Sequence, residues 1–169
     1  MDKMEVLKNP NFVPNCSINP IISCGSVMKT AQATVFGFDN TLLGLAGFAA
    51  LMTVGFSILA GARYQKWFWQ LINMTAFLGM IFVHWLFAEA VFRIGSVCPW
   101  CMTVWAVVIP PFWYTLIYNL NQEIISTPKP LIPIVRSIKN YKHVILLLWY
   151  TVIAGTILLH FWSYFKTVL

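Results

Sequence analysis

The sequence predicts an all-α integral membrane protein, a four-transmembrane-helix bundle, from its composition and from four long apolar segments. Hydrophobic residues make up 59% of the 169 residues and charged residues only 9%, whereas a soluble domain carries about 25% charged residues. So few polar groups cannot cover the surface of a soluble fold, but a bilayer removes that requirement, and roughly 20 apolar residues form one helical span. Helices are expected because each satisfies its own backbone hydrogen bonds in lipid.

The predicted membrane domain covers the whole chain, residues 1–169. An N-terminal loop is expected over 1–40 and three spans within 41–120, at 41–62, 67–92 and 98–120. A second loop follows at 121–142, and the last span at 143–165.

The basic residues predict how these spans are oriented. Arg63 and Lys66 lie between the first two spans, and four more basic residues lie in the loop 121–142. Loops rich in Lys and Arg stay in the cytoplasm. Segment 1–40 and the loop near Gly95 then face outward, which makes the N-terminal segment extracytoplasmic. The net charge of +6 fits anionic headgroups, and no basic cluster interleaved with aromatics suggests a nucleic-acid surface.

The sharpest chemical feature is the sequence Cys98-Pro99-Trp100-Cys101 at the start of the third span. Proline is favoured at the first helical position, so we expect Cys98 to be the N-cap. A thiolate there faces unpaired amides and the positive end of the helix dipole, which lower its pKa. Cys101 lies one turn further in, roughly 4–5 Å deeper toward the membrane.

Cys16 and Cys24 form a second pair, which the predicted orientation places on the same outer side as the CxxC pair. Their spacing is wide for a zinc site, whose paired ligands are usually two to four residues apart. Four cysteines allow three disulfide connectivities. A thiol–disulfide relay fits this arrangement best, with a metal site or static disulfides as the alternatives.

The chain resembles the vitamin K epoxide reductase family, specifically its bacterial members, from about residue 16 to 120. The resemblance rests on the order and spacing of several motifs, which are CSINPIISC at 16–24, VFG at 35–37, Asn40, FVHW at 82–85 and CPWC at 98–101.

This resemblance implies a helical bundle around a quinone pocket. Cys98 and Cys101 match the family's quinone-reducing centre, and Cys16 and Cys24 match the outer pair that receives electrons from a thioredoxin-like partner. Asn40 matches an asparagine that hydrogen-bonds the quinone.

Two further residues match the family's quinone site less directly. Thr30 matches a small hydroxyl residue that follows the second loop cysteine. Trp105 stands where the vertebrate branch has a tyrosine, and its indole N–H can donate a hydrogen bond but cannot accept one.

The resemblance therefore implies a multi-pass cell-membrane oxidoreductase. It would reduce a quinone of the menaquinone or ubiquinone type and reoxidise a secreted thioredoxin-like (DsbA-like) partner, supporting disulfide formation. The alternative is a structural or metal-binding four-span protein with static cysteines. The family has a further span before the loop cysteines, so we expect the natural chain to start upstream of Met1.

Three other polar residues have simpler interpretations. Glu89 and Arg93 are four residues apart on the second span and should form an ion pair. His84 lies nearer the membrane interior, where an ionisable group suggests function. A hydrogen bond from His84 to a neighbouring helix is at least as good an explanation.

Overall fold

A computed structural model describes residues 9, 13–19, 21–125 and 128–168, and this part of the chain is helical without a β-strand. Its helices are α1 (Cys24–Met28), α2 (Asn40–Leu59), α3 (Lys66–Ala88), α4 (Pro99–Asn121), α5 (Ile132–Asn140), α6 (Lys142–His160) and α7 (Trp162–Val168). A π-helix, Glu89–Ile94, continues α3, and short 3₁₀ helices cover Ala31–Thr34 and Lys129–Leu131.

Four helical segments within the described ranges are long and apolar enough to cross a bilayer. They are α2, α3 with its π-helical extension, α4 and α6, which confirms the predicted all-α membrane fold. The last span ends at His160, before the predicted residue 165, and α7 follows as a separate short helix.

The outer faces of these spans are apolar, as expected of helices that lipid surrounds. Neither α2 nor α6 has a residue buried within the chain, and Leu45 and Leu147 are each about two-thirds exposed. In water such surfaces would aggregate, whereas lipid chains cover them at no cost.

Contacts between Cα atoms divide the chain into two compact units. The first comprises Met1–Tyr64 and Trp85–Val104, and the second comprises Gln65–His84 and Trp105–Leu169. All four cysteines belong to the first unit.

In the second unit, α4 continues as an α-helix through two consecutive prolines, Pro110 and Pro111. Pro110 has no N–H to donate to the Ala106 carbonyl four residues earlier. The Tyr150 hydroxyl of α6 donates to that carbonyl instead, at 2.6 Å. A side chain of the last span therefore replaces a backbone hydrogen bond of the third.

His84 also joins two spans of the second unit. Its Nδ1 lies 2.9 Å from the Met80 carbonyl, and its Nε2 accepts the indole N–H of Trp149 at 3.0 Å. Because Nε2 accepts, Nδ1 is the nitrogen that donates to Met80. The predicted hydrogen bond from His84 to a neighbouring helix is confirmed, and both ring nitrogens are engaged.

Candidate redox site

Cys98 occupies the position immediately before α4. The helix begins at Pro99, and the Met102 N–H donates to the Cys98 carbonyl at 3.0 Å. This is the first backbone bond of the helix, so Cys98 is the N-cap residue, as its sequence context predicted.

The backbone pairs the segment before Cys98 with the segment before Cys24. The Val97 N–H donates to the Ile21 carbonyl at 2.7 Å, and the Ser23 N–H donates to the Val97 carbonyl at 3.1 Å. Each cysteine directly follows a paired residue. We call this two-bond pairing the backbone bridge, and its effect is to bring two cysteines that are 74 residues apart into contact.

At this contact the Cys24 Sγ lies 3.2 Å from the Cys98 Sγ, and both side chains are buried. Cys16 and Cys24 form a disulfide, while Cys98 and Cys101 are free thiols. Reacting atoms in a near-attack arrangement are about 3–3.5 Å apart. The geometry therefore suits exchange between Cys98 and the Cys16–Cys24 disulfide at Cys24.

The surroundings of Cys98 stabilise its thiolate. A hydrogen bond from the Cys101 side chain is the largest effect, and with the backbone N–H groups of Cys101 and Trp100 it lowers the pKa of Cys98 from 9.0 to about 6, against the opposing effect of burial. At pH 7 about 90% of a group with this pKa is ionised. The attacking species in disulfide exchange is thus the major form of Cys98.

Serine side chains hold the loop that carries Cys16. The Ser17 Oγ accepts the Gly25 N–H at 3.3 Å and lies 3.2 Å from the Ser23 Oγ. Ser23 is the N-cap of α1, and its Oγ accepts the Ser26 N–H. These bonds fix the loop onto the short helix that begins with Cys24.

Asn40 is the first residue of α2 and has one buried atom without a partner. Its Nδ2 donates to the Gln32 carbonyl at 2.7 Å, while its Oδ1 is buried and accepts no hydrogen bond within the described residues. Leaving a buried acceptor unsatisfied costs about 1–3 kcal/mol. A ligand hydroxyl fits this position, because it would supply the missing donor.

The other predicted quinone contacts differ in how they are placed. The Thr30 hydroxyl donates its hydrogen to the Val27 carbonyl of α1 at 2.7 Å. Its oxygen could therefore only accept a hydrogen bond from a ligand. Trp105 is buried on α4, four residues beyond Cys101, and belongs to the second unit.

A buried carboxylate supports the segment that holds Asn40. Arg93 Nη1 lies 3.2 Å from Glu89 Oε1, which confirms the predicted ion pair. Gln32 Nε2 also donates to Glu89 Oε2 at 3.1 Å. Sequence reasoning missed this second contact, because the residues are 57 positions apart and share no motif.

A comparison with known protein families identifies the family of the chain. A model described as the vitamin K epoxide reductase family matches residues 1–116. The chain belongs to the vitamin K epoxide reductase family. It is thus a membrane oxidoreductase of a family that couples thiol–disulfide chemistry to quinones. Searches among curated proteins and among solved structures found no match to the chain.

Proposed function

We propose that this family member is a quinone-reducing thiol oxidoreductase that reoxidises a secreted thioredoxin-like disulfide oxidase and so supports disulfide formation. The observation that carries the proposal is the 3.2 Å contact between the Cys24 and Cys98 sulfurs. This contact links an outer disulfide to the CxxC pair, which a relay of electrons requires.

The first exchange takes place at the outer pair. A thiolate of the reduced partner attacks Cys16 of the Cys16–Cys24 disulfide, and Cys24 leaves as a thiolate. The second thiol of the partner then attacks the mixed disulfide, which releases Cys16 and leaves the partner oxidised. Two electrons have moved to the outer pair, and the disulfide has moved to the partner.

The second exchange passes these electrons inward. The Cys24 thiolate attacks Cys98 of a Cys98–Cys101 disulfide, and Cys101 leaves. Cys16 then attacks Cys24, re-forms the Cys16–Cys24 disulfide and releases Cys98. The result is the distribution seen in the structure, with a disulfide outside and two thiols in the CxxC pair.

The low pKa of Cys98 favours this outcome. A thiol with a lower pKa is a better leaving group, so Cys98 departs readily when Cys16 resolves the mixed disulfide. Cys98 and Cys101, which lies one helical turn further along α4, are then both in the reduced, thiol form.

When bound, a quinone supplies the acceptor for the two electrons of the Cys98–Cys101 pair. Asn40 would hold it, since the unpartnered Oδ1 accepts a hydrogen bond from a hydroxyl of the reduced form. Glu89 and Gln32 keep the backbone carbonyl that orients Asn40 in place. Menaquinone and ubiquinone types share this chemistry.

The proposal includes a location for the site. Disulfides persist on the extracytoplasmic side of the cell membrane, and the basic loops favour an orientation in which the cysteines lie on that side. A secreted partner would therefore meet Cys16 in the periplasmic or extracellular space.

The alternative is a structural or metal-binding membrane protein with static cysteines. A zinc site would need all four thiolates together, but two of the sulfurs are joined in a disulfide, and the described residues contain no group of three His, Cys, Asp or Glu placed to hold a metal ion. A static disulfide gives no reason for a third sulfur 3.2 Å from one of its own.

The test is quinol production by the purified full chain, mixed with a reduced thioredoxin-like oxidase and either menaquinone or ubiquinone. Quinol should form with the native chain and not with Cys98→Ser. A native chain that forms no quinol with either type would refute the proposal.

Cys101→Ala separates the two exchanges. Without Cys101 the chain cannot complete quinone reduction. The Cys98 thiolate can still attack the Cys16–Cys24 disulfide at Cys24 and release Cys16 as a thiolate, so the Cys24–Cys98 mixed disulfide should accumulate, visible by non-reducing peptide mapping. The matched control Cys98→Ser/Cys101→Ala lacks one of the two sulfurs and should show no such bond. Normal quinol production by Cys101→Ala would contradict the assigned order.

A further inference from the structure

Helix α5 lies in the predicted loop between the third and fourth spans and has one apolar face. Leu131, Ile134, Val135 and Ile138 recur at intervals of three and four residues, which places them on one side of the helix. Leu131 and Ile134 are 46% and 55% exposed. The chain therefore covers only part of this face.

The opposite face and the flanks of α5 are basic. No Asp or Glu follows Glu123 in the sequence, whereas five Lys and Arg residues do. Lys129 and Arg136 are exposed, and neither has a side-chain partner among the residues that the structure describes. Their charge is thus available to an external anion.

A hydrogen bond and a one-residue link hold α5 near the ends of two spans within the second unit. Lys139 Nζ donates to the Leu120 carbonyl at 2.8 Å, in the last turn of α4. Trp113 Nε1 donates to the carbonyl of Lys142, the first residue of α6, at 2.9 Å. A single residue, Tyr141, separates α5 from α6. Because spans end at the membrane surface, α5 lies at the level of the lipid headgroups.

We propose that α5 is an interfacial helix that binds the anionic phospholipids of the bilayer carrying the protein. Its exposed apolar face enters the boundary between headgroups and acyl chains, and Lys129 and Arg136 contact the headgroup phosphates. Amphipathic helices with an apolar face and a basic polar face bind lipid in this way. Charge complementarity favours lipid over a protein partner, because an anionic membrane surface is always present at this level.

The experiment titrates phosphatidylglycerol or phosphatidylcholine into the purified full chain in neutral detergent and follows lipid binding by native mass spectrometry. The native chain should prefer phosphatidylglycerol. In Lys129→Gln/Arg136→Gln, affinity for this lipid should fall roughly 30-fold, since each basic residue near an anionic surface contributes about 1 kcal/mol.

The matched control is Arg63→Gln/Lys66→Gln. It removes the same charge from the other loop on the same predicted side, where no amphipathic helix lies, and should cost much less affinity. Equal binding of both lipids by the native chain, or equal losses in both double variants, would overturn the proposal. Unchanged affinity in Lys129→Gln/Arg136→Gln would also overturn it and would leave the face to a protein partner. Thermal midpoints should match those of the native chain, because the Lys129 and Arg136 side chains form no hydrogen bond or ion pair within the described part of the chain.

Discussion

The ionisation of Cys98 should depend on the side chain at position 101. The hydrogen bond from Cys101 is the largest cause of the lowered pKa of Cys98, which is about 6 instead of 9.0. Cys101→Ala removes this donor, so the pKa should rise toward its ordinary value. Cys101→Ser keeps an O–H donor and should hold the pKa low.

The lowered pKa of Cys98 affects the rate of exchange in two opposing ways. A fall in pKa from 9.0 to about 6 raises the thiolate fraction at pH 7 from about 1% to about 90%. The intrinsic nucleophilicity falls over the same interval by roughly 20–30-fold, for a Brønsted coefficient of about 0.4–0.5. The net gain for Cys98 as an attacking group is only several-fold. The larger benefit is to Cys98 as a leaving group.

The assay is the ultraviolet absorbance of the thiolate, followed against pH with the Cys16–Cys24 disulfide intact and with Cys98→Ser as the blank. The native chain and Cys101→Ser should show a midpoint near 6, and Cys101→Ala a clearly higher one. As pH falls through the native midpoint, Cys98 gains a proton and exchange slows. A midpoint that stays near 6 in Cys101→Ala would show that the Cys101 thiol does not lower the pKa of Cys98 and would assign the shift to the backbone amides of α4.

Three further predictions concern other parts of the chain. Asn40→Ala should weaken apparent quinone affinity by up to roughly tenfold, the worth of one neutral hydrogen bond, with little change in thermal midpoint; unchanged affinity would count against Asn40. Tyr150→Phe should lower the free energy of unfolding by about 0.6–1.5 kcal/mol, because the Ala106 carbonyl loses its donor; no loss in thermal or denaturant unfolding would show that the hydroxyl is dispensable. Glu89→Ala should raise the KM for quinone more than the KM for the thiol partner, because Gln32 loses its anchor, and Glu89→Gln should restore part of it; equal changes in both KM values would indicate a general structural role.

The spans were predictable because the bilayer demands a long apolar segment, which local sequence alone displays. The start of α4 was predictable for a similar reason, since Pro99 favours the first helical position wherever it lies in the fold. The end of the last span was harder to predict from the sequence. Apolar residues continue beyond His160, and nothing in their pattern predicts the break that separates α6 from α7.

The contacts between distant segments could not be predicted from local pattern. The pairing of Val97 with the residues before Cys24 uses backbone atoms, which every residue carries, so no side chain marks it. Gln32 and Glu89 meet only because the fold brings two segments of the first unit together. The cysteines themselves were identifiable, but which two sulfurs touch is a property of the folded chain.

The backbone bridge makes the site sensitive to spacing and tolerant of side-chain identity. Its hydrogen bonds come from the main chain, so most residues at positions 21 and 97 would preserve them, while proline at position 23 or 97 would remove a donor. An inserted or deleted residue, in contrast, would disrupt the site. In an extended segment successive side chains point to opposite sides, so a shift of one position between Val97 and Cys98 would turn the sulfur away from Cys24. Homologous chains that vary freely in composition around these cysteines should therefore keep each one directly after its paired residue.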